Sequence, residues 1–318
     1  MRTIDIHAHL TSQRFQKAVL NGQDWHGMTA DEGELFNPRN AWTTEERIAD
    51  MDSLGIDVQV VTSNVAFYKY DQDVSVGTAI ARETNDEIHE MMQAYPDRLS
   101  GLANVPMQDM GAAIAEMERA MTTMGFKGVM INDHVNDVTF DDPRFYPFWE
   151  AAQDLGAFIL IHQTRPTVVA HRLNKYHLAN SIGNLTDRAI TFATFVFGGV
   201  MDKYPDLKVC LCHGGGYTCY GIGRMDRGWE VRPEARVNIQ KPPSEYLRSF
   251  YYDCLTHSEP SLRYLIDTVG ADRVVLGTDW PADMMLDWPV AWVLRMDSLT
   301  TEEKEAILWK NLEGLLNI

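Results

Sequence analysis

Five residues with metal-binding or proton-transferring side chains stand at the ends of apolar runs in this sequence. His7 and His9 lie two residues apart in IDIHAHL, a predicted strand, so both side chains point the same way and can bind one ion. His162, His213 and Asp279 follow later apolar runs. Three imidazoles and a carboxylate around an open position suit zinc or a similar divalent ion, and a further imidazole can transfer protons near neutral pH. The pattern predicts a metal-dependent catalytic site.

These side chains can meet only if the strands that carry them run side by side in one direction. The sequence contains eight β-rich segments separated by helical patterns, at residues 3–10, 58–64, 99–106, 127–133, 157–163, 207–215, 249–255 and 273–280. Most are continuous runs of Val, Ile and Leu, typical of strands covered on both faces. Several helical patterns end in a glycine, such as Gly55 and Gly156, shortly before the next strand. This alternation predicts an α/β fold, a (β/α)8 TIM barrel whose site lies at the carboxyl ends of the strands.

One domain covering residues 1–318 is predicted, because a barrel of this kind needs about this length. Long insertions are expected at the C-terminal face of the strands, at about 11–42, 164–190 and 217–245. The third is the most basic stretch of an acidic chain. Long segments at this face of a barrel are typical of a lid or a substrate wall. A glycine-rich phosphate loop does not follow the first strand, which disfavours an open dinucleotide-binding sheet.

Composition excludes several classes of partner. A formal net charge of −17 opposes binding to nucleic acid or to anionic membrane surfaces, and no apolar run is long enough for a membrane span. Of the four cysteines, Cys210 and Cys212 alternate with apolar residues on a predicted strand, so we expect buried free thiols rather than disulfides or a zinc ribbon. With no apparent leader sequence, we expect a cytoplasmic protein.

The other histidines are weaker candidates. Some fall in predicted long loops or just after strands, where they could line a pocket, although a solvated loop histidine is more common: His26, His171, His177, His134 and His257. His89 falls in a helical pattern and is predicted to lie at the surface.

Four motifs carry a resemblance to a known family. HxH in IDIHAHL, the histidine of LIHQ, CHGGG and LGTDWP resemble the amidohydrolase superfamily, in particular its metal-dependent decarboxylase branch (amidohydrolase-related family 2), typified by 2-amino-3-carboxymuconate-6-semialdehyde decarboxylase. The resemblance runs nearly end to end and includes YPDRLSGLANVPMQD and FGGVMDKYPDLKVCLCHGGG.

The resemblance implies a role for each of the five residues. It implies that His7, His9, His162 and Asp279 bind one divalent metal ion, most simply zinc, with manganese as the alternative. It also implies that His213 handles protons beside the metal, together with Asp279. The fourth predicted strand ends in MIND, which offers no lysine to bridge two metals, and this favours a mononuclear site.

Two arginines are implied to bind substrate. Arg47 matches one that binds a substrate carboxylate, and Arg224 matches one that reaches the active site of the neighbouring subunit, so a homodimer is expected. Two guanidinium groups would suit a substrate with carboxylate groups. The sequence departs from the pattern at Gln163, where close relatives generally have proline, so the identity of the substrate is not carried over.

The resulting hypothesis is a nonoxidative decarboxylase of an unsaturated or aromatic carboxylic acid, in the catabolism of aromatic compounds. A hydrolase or hydratase of a lactone, amide or enol acid could use the same site. A binding or structural barrel is the third class, and it is disfavoured because such a protein would have no need of an open metal position.

Overall fold

The computed structural model describes residues 2–164 and 170–318; residues 165–169 of the predicted 164–190 insertion lie outside this description. Within the described ranges there are eight strands: β1 (Ile4–Leu10), β2 (Val58–Ser63), β3 (Leu99–Gly101), β4 (Gly128–Ile131), β5 (Phe158–Ile161), β6 (Lys208–Leu211), β7 (Phe250–Asp253) and β8 (Val274–Val275). Each lies inside a predicted segment and is shorter than that segment.

All neighbouring strands are parallel. One sheet has the order β1-β2-β3 and the other β4-β5-β6-β7-β8. Single parallel bridges join the sheets at both seams: Ala103 pairs with Val129 between β3 and β4, and Ala8 pairs with Trp280 between β1 and the chain after β8. Strands that follow one another around a ring in this way form the predicted (β/α)8 barrel.

Helices follow the strands around the outside. In the described residues they are α1 (Gln13–Leu20), α2 (Thr44–Leu54), α3 (Val74–Ala94), α4 (Met110–Thr123), α5 (Tyr146–Leu155), α6 (Leu185–Phe197), α7 (Val200–Lys203), α8 (Thr218–Val231), α9 (Glu259–Val269), α10 (Pro289–Leu294), α11 (Thr301–Glu305) and α12 (Asn311–Leu316). Local sequence fixes their ends: Thr43 and Glu46 form a capping box at the start of α2, and Gly55 takes the left-handed conformation at its end.

The insertion at 11–42 is held against the barrel by side-chain contacts. It contains α1, whose Phe15 packs with Trp25 and Phe67 in a small apolar cluster separate from the main core. The buried carboxylate of Glu87 on α3 accepts a hydrogen bond from Ser12 Oγ (2.6 Å), next to the start of α1. This segment therefore has a defined place beside the carboxyl ends of β1 and β2.

The described parts of the other two insertions are largely helical. Residues 179–184 form a π-helical turn that leads into α6, and α8 takes up the first half of the 217–245 stretch. The four cysteines are free and buried, as predicted. Among the described residues, no helix combines the length and apolar character needed to cross a membrane.

Candidate active site

The barrel brings all five predicted residues to one end. His7 and His9 lie on β1, and His162, His213 and Asp279 follow β5, β6 and β8. The Nε2 atoms of His7 and His9 both lie 3.1 Å from Asp279 Oδ1. His162 Nε2 lies 3.6 Å from the same oxygen, and His213 Nε2 lies 3.6 Å from Oδ2. The four imidazole edges therefore converge on a single carboxylate.

The donor set fits one divalent cation. One ligand atom from each of His7, His9, His162 and Asp279 lies within 4.8 Å of all the others. Ligands about 2.1 Å from a tetrahedral ion are separated by roughly 3.4 Å, close to the 3.1 and 3.6 Å measured here. Nε2 of His7 and of His162 is buried and makes no hydrogen bond to the described residues. Buried lone pairs without a donor partner are what a metal ion satisfies.

Each of these three histidine rings is oriented by a hydrogen bond at its Nδ1 atom. A neutral imidazole that donates from Nδ1 presents a lone pair at Nε2, and metal-binding histidines are commonly held in this way. The acceptors are Asp253 Oδ2 for His7 (2.8 Å), the Ser63 carbonyl for His9 (3.1 Å) and the Gln163 carbonyl for His162 (2.8 Å). The tautomer needed for ligation is thus set by the surrounding strands and their ends.

Electrostatics favour the ligating protonation states of His162 and Asp279. At His7, burial lowers the pKa, but Cys212, Asp279 and Asp253 outweigh it and raise that pKa well above its usual value, so a metal ion would displace a proton from this ring. Burial lowers the pKa of His162 well below its usual value, so its ring is neutral at physiological pH. Burial alone would raise the pKa of Asp279, but the charge on His7 and contacts with His162 and His213 outweigh it and hold that pKa well below its usual range. The site therefore offers a neutral ring beside an ionised carboxylate.

The glycines of CHGGG place His213. A Cβ on Gly215 would lie 2.5 Å from the Tyr252 ring, and one on Gly216 would lie 2.2 Å from the Leu185 carbonyl oxygen. Only glycine allows the chain to turn this tightly against β7 and α6. His213 itself has a φ of 57°, uncommon for a residue with a side chain. Close packing thus holds His213 at the edge of the site rather than within the ligand set.

A cavity of about 640 Å³ opens beside the cluster. His213 and Asp279 line it, together with Tyr217, His257 and Tyr264. Its size is in the range of small-molecule sites, and its lining is mainly apolar and aromatic. The cavity could hold a planar organic molecule with one end at the metal-binding cluster.

Arg47 lies behind the site rather than in the cavity. Its guanidinium is buried; it donates to Gln59 Oε1 (2.7 Å) and to the His9 carbonyl, and its central carbon lies 4.0 Å from the centre of a Trp280 ring. These contacts tie α2 to β1 and β2. Substrate binding by Arg47 stays a prediction, and this geometry favours instead a role in holding β1.

The remaining predicted residues lie apart from the cluster. Arg224 is exposed on α8, and its role at a neighbouring subunit stays a prediction. His257 lines the cavity, whereas His26 pairs with Glu83 at 3.0 Å in the 11–42 segment. His171 and His177 are exposed.

Sequence reasoning missed Asp253. It is fully buried at the end of β7, accepts a hydrogen bond from the Gly214 amide (2.9 Å) as well as from His7, and has a pKa that burial would raise but the contacts with His7 hold low. A signal was available: Asp253 is the one acidic residue within the apolar run SFYYDCL.

Asp253→Asn is expected to weaken metal binding by about 10- to 100-fold, because the amide no longer supplies the charge that holds and polarises the His7 ring. Competition with a chromogenic chelator measures the affinity. Asp202→Asn is the control, since Asp202 accepts a hydrogen bond from Tyr246 on the outer side of the barrel. Unchanged affinity in Asp253→Asn would show that His7 is oriented without this carboxylate.

A parallel barrel with three histidines and an aspartate at its carboxyl end defines a metal-dependent barrel enzyme. Residues 4–318 match the family model Amidohydro_2, described as amidohydrolase. The chain belongs to this amidohydrolase family.

The relatives agree with this assignment. The 2-amino-3-carboxymuconate-6-semialdehyde decarboxylase of Dictyostelium discoideum is 32% identical over 290 residues, 90% of this chain and 80% of that protein. The structure of 5-carboxyvanillate decarboxylase from Sphingomonas paucimobilis superposes with a TM-score of 0.87 at 25% identity, covering 100% of this chain and 99% of that one. A 5-carboxyvanillate decarboxylase from Novosphingobium aromaticivorans, solved with manganese and a nitrobenzoic acid, has the same fold (TM-score 0.87, 23% identity, 100% and 96% covered).

Proposed function

We propose that this chain is a metal-dependent nonoxidative decarboxylase of an unsaturated or aromatic carboxylic acid, in the catabolism of aromatic compounds. The observation that carries the proposal is that Asp279 belongs both to the metal-binding cluster and to the wall of the 640 Å³ cavity, and that His213 lines the same cavity 3.6 Å from Asp279 Oδ2. The three relatives described above are decarboxylases by name, which supports the same reaction type here.

In this proposal one divalent ion is held by His7, His9, His162 and Asp279. Zinc is the first choice because three imidazoles and one carboxylate match its usual ligands. Manganese is the alternative, supported by the ion named in the Novosphingobium structure. When bound, either ion would supply a positive centre for an anionic oxygen of the substrate.

Decarboxylation requires a proton at the reacting carbon. The bond from that carbon to the carboxyl group breaks, CO2 leaves, and the electron pair left on carbon takes up a proton. His213 and Asp279 are suited to relay that proton from a water molecule to the carbon, because His213 Nε2 and Asp279 Oδ2 are 3.6 Å apart at the cavity wall. Burial lowers the pKa of His213, so its ring can accept and return a proton without remaining charged. The largely apolar cavity favours loss of the charged carboxylate.

The proposal extends to the assembly and the setting. Residues 1–318 act as one barrel domain, and Arg224 of a second copy binds substrate in a homodimer; the exposure of Arg224 on α8 supports this. Arg47 is kept as a candidate for substrate binding on the resemblance alone. The four free thiols support a cytoplasmic setting, where cysteines remain reduced.

The test of the reaction is CO2 release by metal-loaded protein across a panel of acids of the muconate-semialdehyde, hydroxybenzoate and vanillate types. We expect release from at least one acid, with loss after chelation and recovery on adding zinc or manganese. The chelated protein and Asp279→Asn serve as controls.

A hydrolase or hydratase acting on a lactone, amide or enol acid is the other outcome of the same panel. If metal-loaded protein releases no CO2 while it opens a lactone or amide or hydrates an enol acid, the decarboxylase proposal is wrong and the site serves the alternative chemistry.

Arg224→Ala is expected to lose most CO2 release, and mixing it with His213→Gln is expected to restore part of it. In mixed dimers, one site combines an intact His213 with an intact Arg224 from the other copy. Unfolding and refolding the two inactive variants together forms such dimers, and each variant refolded alone is the control. Without any recovery in the mixture, Arg224 does not act across an interface.

A further inference from the structure

A fully buried arginine lies behind His162. Arg188 on α6 has no exposed surface. Its Nη1 donates to the Ile161 carbonyl oxygen (2.8 Å), and its Nη2 donates to Gln163 Oε1. Ile161 and Gln163 flank His162 in the chain, so one guanidinium holds both neighbours of a candidate metal ligand.

The charge of Arg188 is balanced by Asp133, which follows β4. Its Oδ2 lies 3.4 Å from Arg188 Nη2, and the two side chains are 2% and 0% exposed. A buried ion pair contributes little net stability, because removing both charges from water costs about as much as their attraction returns. A pair of this kind is better explained by the orientation it imposes on its neighbours.

His162 needs such support more than the other histidines do. The Asp253 carboxylate that orients His7 is held by the amides of Gly214 and Leu255, and the Ser63 carbonyl that orients His9 lies within β2. The acceptor for His162 Nδ1 is the carbonyl of Gln163, beyond the end of β5. Sheet hydrogen bonds do not set the direction of that carbonyl, but the side chain of the same residue is anchored by Arg188.

We propose that Arg188 is a positioning residue for the metal site. By holding Ile161 and the side chain of Gln163, it fixes the Gln163 carbonyl, which accepts from His162 Nδ1 and so directs His162 Nε2 toward the ion. The planar fork of a guanidinium reaches two acceptors at once, which a lysine ammonium does not do with the same geometry. This inference rests on the metal site of the proposed function.

The test uses Co²⁺ as the probe, because its visible absorption band reports ligand geometry. Chelator competition gives the affinity for wild type, Arg188→Met and Gln163→Met. We expect both variants to bind Co²⁺ about 10- to 100-fold more weakly and with an altered band, since ligand orientation contributes factors of this size. Arg188→Lys is expected to fall between wild type and Arg188→Met.

Coupling within the unit gives a second readout. Gln163→Met added to Arg188→Met is expected to weaken Co²⁺ binding little further, because both changes release the same carbonyl. Arg119→Met is the matched control: Arg119 pairs with the buried carboxylate of Glu116 on the outer helix α4. Like Arg188→Met, the Arg119→Met substitution removes an arginine from a buried carboxylate. We expect Arg119→Met to lower thermal stability without changing the Co²⁺ affinity or the absorption band.

Wild-type Co²⁺ affinity and spectrum in both Arg188→Met and Gln163→Met would overturn the inference. Should Arg188→Met fail to fold, Gln163→Met decides alone, because it leaves the pair between Arg188 and Asp133 in place. Equal losses in Arg119→Met and Arg188→Met would also overturn it, since general destabilisation would then explain both. If wild type binds no Co²⁺, the metal site of the proposed function fails, and the inference fails with it.

Discussion

His162→Ala is expected to lower the bound metal from about one ion per chain to less than about a tenth of that, and to abolish CO2 release. His162 contributes one of four converging ligand atoms. The other three come from His7 and His9 on β1 and from Asp279 after β8. Without His162, only three of the four ligand atoms remain, and the buried carboxylate of Asp279 loses one of the imidazoles that face it. Metal content after dialysis against metal-free buffer, measured by elemental analysis, gives the result.

The control for this variant is His89→Ala. His89 lies on the outer helix α3, where its Nδ1 bonds to the Met124 carbonyl (3.1 Å). This substitution removes a histidine side chain, as His162→Ala does, but at a partly buried position away from the site. The metal content of His89→Ala should therefore equal that of wild type. A full equivalent of metal in His162→Ala would show that this histidine is not a ligand, and the mononuclear site would need another donor.

His213→Gln is expected to lower kcat by about 10²- to 10⁴-fold while the protein keeps its metal. The reason is geometric: His213 faces Asp279 Oδ2 at 3.6 Å and lines the cavity, but it stands outside the group of four ligand atoms. Glutamine keeps a polar side chain of similar length and loses the ability to exchange a proton. CO2 release at saturating substrate and metal content of the same sample are measured together.

The paired readout separates two roles for His213. A loss of kcat with full metal content supports proton transfer, whereas a parallel loss of metal would make His213 a ligand instead. An unchanged kcat would remove His213 from the reaction and leave Asp279 as the proton-transferring group. His257→Gln, on another wall of the cavity, is the comparison, and we expect its effect to be smaller.

The strands and the metal-binding cluster were predictable from sequence because both leave local signals. Strands buried on both faces are continuous apolar runs, and a parallel barrel puts their carboxyl ends on one face. A histidine or aspartate at such a strand end, such as His7, His162 or Asp279, can therefore be placed at the carboxyl face of the barrel from sequence alone. The spacing of His7 and His9 adds that both side chains share one face of β1.

Arg47 and the 217–245 stretch show where local reasoning stops. A motif match places Arg47 on α2, but only packing directs its guanidinium to Gln59 and the His9 carbonyl rather than to the cavity. In the same way, a basic stretch expected as an insertion contains α8. The direction of the Arg47 side chain depends on residues 12 and 38 positions away in the chain, which a local motif does not report.

The sequence by itself determined the repeat of strands and helices, the types of donor at the strand ends and the family. The tertiary structure alone decided which groups support those donors. Asp253 orients His7 from 246 residues away, and Arg188 anchors Gln163 from another element of the barrel. Periodicity reports the environment of a residue along its own strand or helix, whereas these contacts depend on how separate elements pack. Only the folded barrel brings a carboxylate or a guanidinium behind a particular histidine.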